Sequence, residues 1–194
     1  MKKETARIIS FLLHPSFIAI LATFLIVYKN TSNILQALEW SVIAVVFASA
    51  IFGFEYYGVK KGYFSNFDVS KRTQRTPLFI FVISLLLLFI FMLVVLKGPV
   101  QLVVGAICLA ASLVVFLVVN SRIKASIHVA GMTSFLLSMG IIFGGYVYLG
   151  LLLVPLVAWA RVKIHRHTIP EVIVGGALGI FLTLTSYLVI QYLH

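Results

Sequence analysis

Three short polar segments of this sequence hold residue types suited to handling a phosphoryl group. The segment ARVKIHRHTIPE, residues 160–171, carries Arg161, His167 and Glu171. The segment SRIKASIH, residues 121–128, carries Ser126 and His128, and DVSKRTQRTP, residues 68–77, carries Lys71, Arg72 and Arg75. Guanidinium forks match phosphate oxygens, and a helix N-terminus offers backbone N–H groups to an anion. One histidine can attack phosphorus while a second donates a proton to the leaving oxygen. Glu171 follows His167 by four residues, close enough to hold one imidazole nitrogen and aim the other.

Plainer readings stand beside this one. Arg161, Lys163 and Arg166 taken alone read as snorkelling cations that anchor a cytoplasmic loop. The matched His167 and Glu171, with His128 expected on the same face of the membrane, shift Arg161 to the site. Lys163, His165 and Arg166 stay at the interface. A zinc site built from His165, His167, Glu171 and His128 would need both nearby histidines to converge and leaves the arginines unexplained, so no metal and no cofactor is expected. His14, before Pro15, reads as a mid-helix residue bonded to a carbonyl that the proline frees.

Apolar runs must position these groups. The chain has 194 residues, of which 62% are hydrophobic and 10% charged, more apolar surface than a soluble domain of this length can hide. Uncharged runs of about 18 residues or more read as transmembrane helices. Seven spans are expected, near 8–28, 35–54, 77–97, 100–119, 127–144, 146–161 and 170–192. The sixth is short. Together they predict an all-α transmembrane bundle of six to seven spans in one domain over residues 1–194. The first run is too long for a signal-peptide core and is read as a retained helix. Cys108 lies in an apolar run and is read as a packing residue.

Alternating spans put residues 1–7, 55–76, 120–126 and 162–169 on one side of the membrane. Every lysine and arginine except Lys29 and Lys97 lies on or borders that side. The positive-inside tendency makes it cytoplasmic. The net charge of +10 accordingly reports orientation and phospholipid contact, not nucleic acid. The three polar segments leave and return to this side through helical hairpins, so they can converge on one site although distant in sequence.

The segments resemble the three signatures of the type 2 phosphatidic acid phosphatase superfamily, which includes lipid phosphatases and vanadium haloperoxidases. Residues 160–171 are similar to its Ser-Arg, five residues, His, three residues, Asp signature, with Ala160 for serine and Glu171 for aspartate. ASIH at 125–128 is similar to Pro-Ser-Gly-His, with Ile127 for glycine. Residues 68–77 resemble Lys, six residues, Arg-Pro more loosely, since Asp68 stands in the lysine position and Thr76 separates Arg75 from Pro77. The resemblance implies that His167 forms a phosphohistidine, that Glu171 orients it, and that His128 protonates the leaving group. It implies that Arg75, Ser126 and Arg161 bind phosphoryl oxygens, with Lys71 or Arg72 supplying the displaced cation.

The expected activity is metal-independent hydrolysis of a lipid phosphate in the bilayer: phosphatidate, phosphatidylglycerophosphate, or a prenyl mono- or diphosphate. The expected setting is a bacterial or archaeal cell membrane, with the site on the cytoplasmic face. The alternative is a catalytically silent member that binds or moves lipid phosphates with the same anion site.

Overall fold

The computed structural model describes residues 2–193; Met1 and His194 lie outside the description. Eight α-helices form among the described residues, and no strand. They are α1 (Lys3–Leu12), α2 (Pro15–Thr31), α3 (Ile34–Lys60), α4 (Arg75–Val95), α5 (Val100–Asn120), α6 (Ile127–Phe143), α7 (Leu153–Lys163) and α8 (Ile169–Leu193). Short 3₁₀ stretches precede α4 and α7, at Arg72–Gln74 and Gly145–Leu152. Five helical segments are long and apolar enough to cross a membrane, and a sixth is obtained when α1 and α2, bent by 40°, count as one broken span. Large apolar side chains such as Leu87, Phe91, Ile173 and Phe181 are exposed on these helices. Lipid, not water, is the solvent that suits such faces. The chain is an all-helical membrane bundle.

Three features correct the expected spans. The first is not one unbroken helix over 8–28, because α1 ends at Leu12 and α2 begins at Pro15. The residue before a proline is pushed out of the helical region, which explains a stop at Leu13 and His14. The second continues from the expected 54 to Lys60 and stops only where Gly62 takes a left-handed φ of 78°. The fifth, α6, has 17 residues, about 25 Å of helix, short of the roughly 30 Å hydrocarbon core.

The short sixth span gains reach from its irregular start. A 3₁₀ helix rises about 2.0 Å per residue against about 1.5 Å for an α-helix. Eight residues of 3₁₀ followed by eleven of α7 extend about 32 Å, enough to cross. Gly144 and Gly145, both at positive φ, make the turn into this segment.

Packing divides the chain into two compact units. One comprises residues up to Ile18 and from Ile123, and the other runs from Ala19 to Arg122. The core of the first gathers Ile18, Val129, Met132, Leu136, Val157 and Val172 around α6. The core of the second gathers Val27, Trp40, Phe89, Leu93 and Leu102. In that unit Gly98 closes the α4–α5 turn, where a Cβ would stand 2.8 Å from both Trp40 and Leu93.

Candidate functional site

The first unit collects five of the predicted residues through a chain of short contacts. It begins where α7 ends. The carbonyl of Arg161 accepts from the N–H groups of Arg166 (3.0 Å) and His167 (3.3 Å), folding the turn back onto the helix. His165 takes the left-handed conformation this reversal needs, with φ of 57°. It is exposed, as expected of an interfacial residue. His167 is carried inward and is 5% exposed.

Glu171 then does several things at once. Its Oε2 lies 2.7 Å from Nδ1 of His167 and accepts from the Thr168 N–H at 3.3 Å. The second contact caps the start of α8, as a glutamate in the third helical position commonly does. The same oxygen is 3.7 Å from Nζ of Lys124, and that ammonium also donates to the carbonyl of Arg166 at 2.7 Å. With Glu171 as a carboxylate, the proton between it and His167 sits on Nδ1, so the imidazole lone pair falls on Nε2.

The backbone carbonyl of Glu171 accepts from the Ser126 N–H at 3.1 Å, joining the start of α6 to the start of α8. Two glycines permit this approach. A Cβ at Gly175 would stand 2.6 Å from the Ser126 carbonyl oxygen, and one at Gly179 would stand 2.6 Å from that of Ala130. Ser134 Oγ donates to the Gly179 carbonyl at 3.1 Å one layer deeper. The small residues of VIVGGALG thus allow close packing behind the site. Ser126 is fully buried, and its hydroxyl has no hydrogen-bond partner among the described residues. A buried orphan hydroxyl costs free energy, which a bound anion at the helix N-terminus would offset.

Comparison with protein families, curated proteins and solved structures finds no match for this chain.

Two polar residues in the N-terminal segment join the predicted set. Arg161, 1% exposed, donates from Nη1 to Ser10 Oγ at 2.6 Å. His14 is half-buried at the helix break and not mid-helix. Its Nδ1 accepts from the Ser16 N–H at 3.2 Å. The His14 ring stands perpendicular to that of His128, at 86° with centroids 4.9 Å apart. His128 itself is buried in the first turn of α6. The signals for this grouping were the His-Pro pair and the i, i+4 spacing of Ser10 and His14 within an apolar run. Lys124 had no local signal, since Arg166 and Glu171 lie more than 40 residues on.

The remaining predicted cations lie in the second unit. Arg75 is buried at the start of α4, where Nε donates to the Val69 carbonyl at 3.1 Å and Nη1 to Asn120 Oδ1 at 3.5 Å. Arg72 is exposed and donates to the Arg122 carbonyl at 2.7 Å. Asn120 also donates to the Arg72 carbonyl at 3.4 Å. Lys71 is exposed. Within its unit Arg75 therefore latches the loop before α4 to the end of α5. No three His, Cys, Asp or Glu side chains group as metal ligands among the described residues.

The first unit also holds an apolar cavity of about 420 Å³ between α6, α7 and α8. Leu137, Leu151, Val154, Pro155 and Ile180 line it, with Thr133 as a polar member. Thr133 lies five residues beyond His128 on α6, about 8 Å further along the helix axis.

Proposed function

We propose that the chain is an integral membrane lipid-phosphate phosphatase that works through a phosphohistidine. The observation that carries this reading is the 2.7 Å, part-buried contact between His167 Nδ1 and Glu171, whose backbones are hydrogen-bonded to those of Arg161 and Ser126. Nε2 of His167 attacks phosphorus, a P–N bond forms, and the ester P–O bond breaks. His128 gives its proton to the departing oxygen. Glu171 stabilises the positive charge that develops on the His167 ring. Arg161, Ser126 and the α6 N-terminus hold the phosphoryl oxygens. Water then attacks phosphorus as His128 takes back a proton, and the P–N bond breaks. Arg75 is the further phosphate-binding residue that the signature resemblance implies, with Lys71 or Arg72 in place of the displaced signature lysine.

The substrate presents its phosphate at the cytoplasmic surface, and the apolar cavity beyond the site receives part of its tail. Phosphatidate, phosphatidylglycerophosphate and prenyl phosphates all have this form. Filling the cavity with Leu137→Trp is expected to raise KM about tenfold for a long-chain substrate, the equivalent of losing roughly two buried CH₂ groups. A short-chain substrate should be unaffected, and equal effects on both would remove the cavity from the tail path.

A second reading, a silent protein that binds or moves lipid phosphates, is favoured by one observation. Arg75 is engaged by Val69 and Asn120 inside its own unit. Purified protein incubated with dioctanoyl phosphatidate and farnesyl phosphate, with a chelator present, separates the two. Released phosphate is the expected result. Saturable binding without release would favour the silent protein, and neither binding nor release would overturn both.

A further inference from the structure

The break in the first span brings ionisable and polar groups to a place where a continuous apolar helix would serve a simple anchor better. Non-helical backbone at membrane depth persists where protein buries it or where it lines a cavity, and an ionisable residue there marks function by default. Three contacts seat this break. Pro15 packs on Gly131, where a Cβ would stand 3.8 Å from the proline ring. Ser16 N–H holds Nδ1 of His14, so in the neutral ring the proton sits on Nε2. The His14 ring meets that of His128 at 4.9 Å and 86°. One turn earlier, Ser10 Oγ accepts from Arg161 at 2.6 Å. The N-terminal segment thus touches two site residues that stand on different helices.

We propose that His14 is a positioning residue for His128, and that the broken first span belongs to the site. The perpendicular His14 ring restricts rotation of the His128 imidazole and keeps it in the orientation from which its proton is donated. Gly131 lies three residues after His128 on the same helix, so the proline contact fixes the distance between the two rings. The catalytic half of this inference rests on the phosphatase reading. The contact between the rings does not.

The test uses the full chain in detergent micelles with ¹⁵N-labelled histidine. In His14→Asn the amide oxygen can still accept from Ser16 N–H and cap α2, so the break is kept while the ring is lost. The expected result is an unchanged unfolding temperature, displaced ring-nitrogen shifts for His128, and kcat reduced at least about tenfold with KM little changed. His128 shifts identical to wild type would overturn the proposal, as would full kcat. Should His14→Asn fail to fold, His128→Asn is read at His14 instead, and unmoved His14 shifts overturn it equally. A wild-type protein that releases no phosphate would remove the phosphatase reading only, because the ring-nitrogen shifts decide the contact by themselves.

Discussion

His167→Ala is expected to lower phosphate release from a short-chain lipid phosphate by about 10⁴-fold or more, with the folded state intact. Removing a nucleophile from residues that act as a unit costs nearly as much as removing the whole set. His167 is carried on a turn whose backbone bonds run to Arg161, and these survive loss of the ring. Glu171→Gln is the informative companion. Glutamine keeps an acceptor for His167 and for the Thr168 N–H but carries no charge to stabilise an imidazolium. A loss of about 10²-fold in kcat is expected, with the start of α8 preserved. Stopped reactions should yield acid-labile, base-stable ³²P on wild type and none on His167→Ala. Undiminished release by His167→Ala would remove the nucleophile assignment.

The largest effect on stability is expected at Gly175. The group that a side chain would meet there is backbone, the Ser126 carbonyl at 2.6 Å and its nitrogen at 3.1 Å. Backbone at a helix start cannot swing aside as a flexible side chain can. Gly175→Val must therefore separate α8 from α6 and break the Ser126-to-Glu171 hydrogen bond. Overpacking of this kind costs about 3 kcal/mol. That corresponds to a fall in unfolding temperature of roughly 6–12 °C for a chain of this size. Gly53 is the control, because a Cβ there meets nothing within 4 Å among the described residues. Gly53→Ala in α3 should be neutral or stabilising by up to about 1 kcal/mol. Unfolding temperatures measured side by side check both, and a Gly175→Val protein as stable as Gly53→Ala would show that the α6–α8 contact yields easily.

What the sequence made legible was local. The i, i+4 relation of His167 and Glu171 needs only a turn and a helix start, and both are dictated by nearby residues. The membrane bundle followed from apolar runs whose length is set by bilayer thickness. The rest depended on distant partners or competing geometries. Ser10 meets Arg161 across 151 positions, a contact that no periodicity encodes. His14 was misplaced because a proline inside an apolar run can kink a helix or end it, and here it ends it. Arg75 matched a phosphate-binding pattern, yet within its unit it meets Asn120, which had no reason to stand out at the end of an apolar helix.

The Ser10–Arg161 bond also sets an order of events. At a synthesis rate of about 5–20 residues per second, Arg161 leaves the ribosome roughly 8–30 s after Ser10. For that interval the serine hydroxyl lacks the guanidinium it meets in the finished protein. Glu171 follows on α8, and its carbonyl then meets the Ser126 N–H at the start of α6, so two segments far apart in the order of synthesis complete the arrangement.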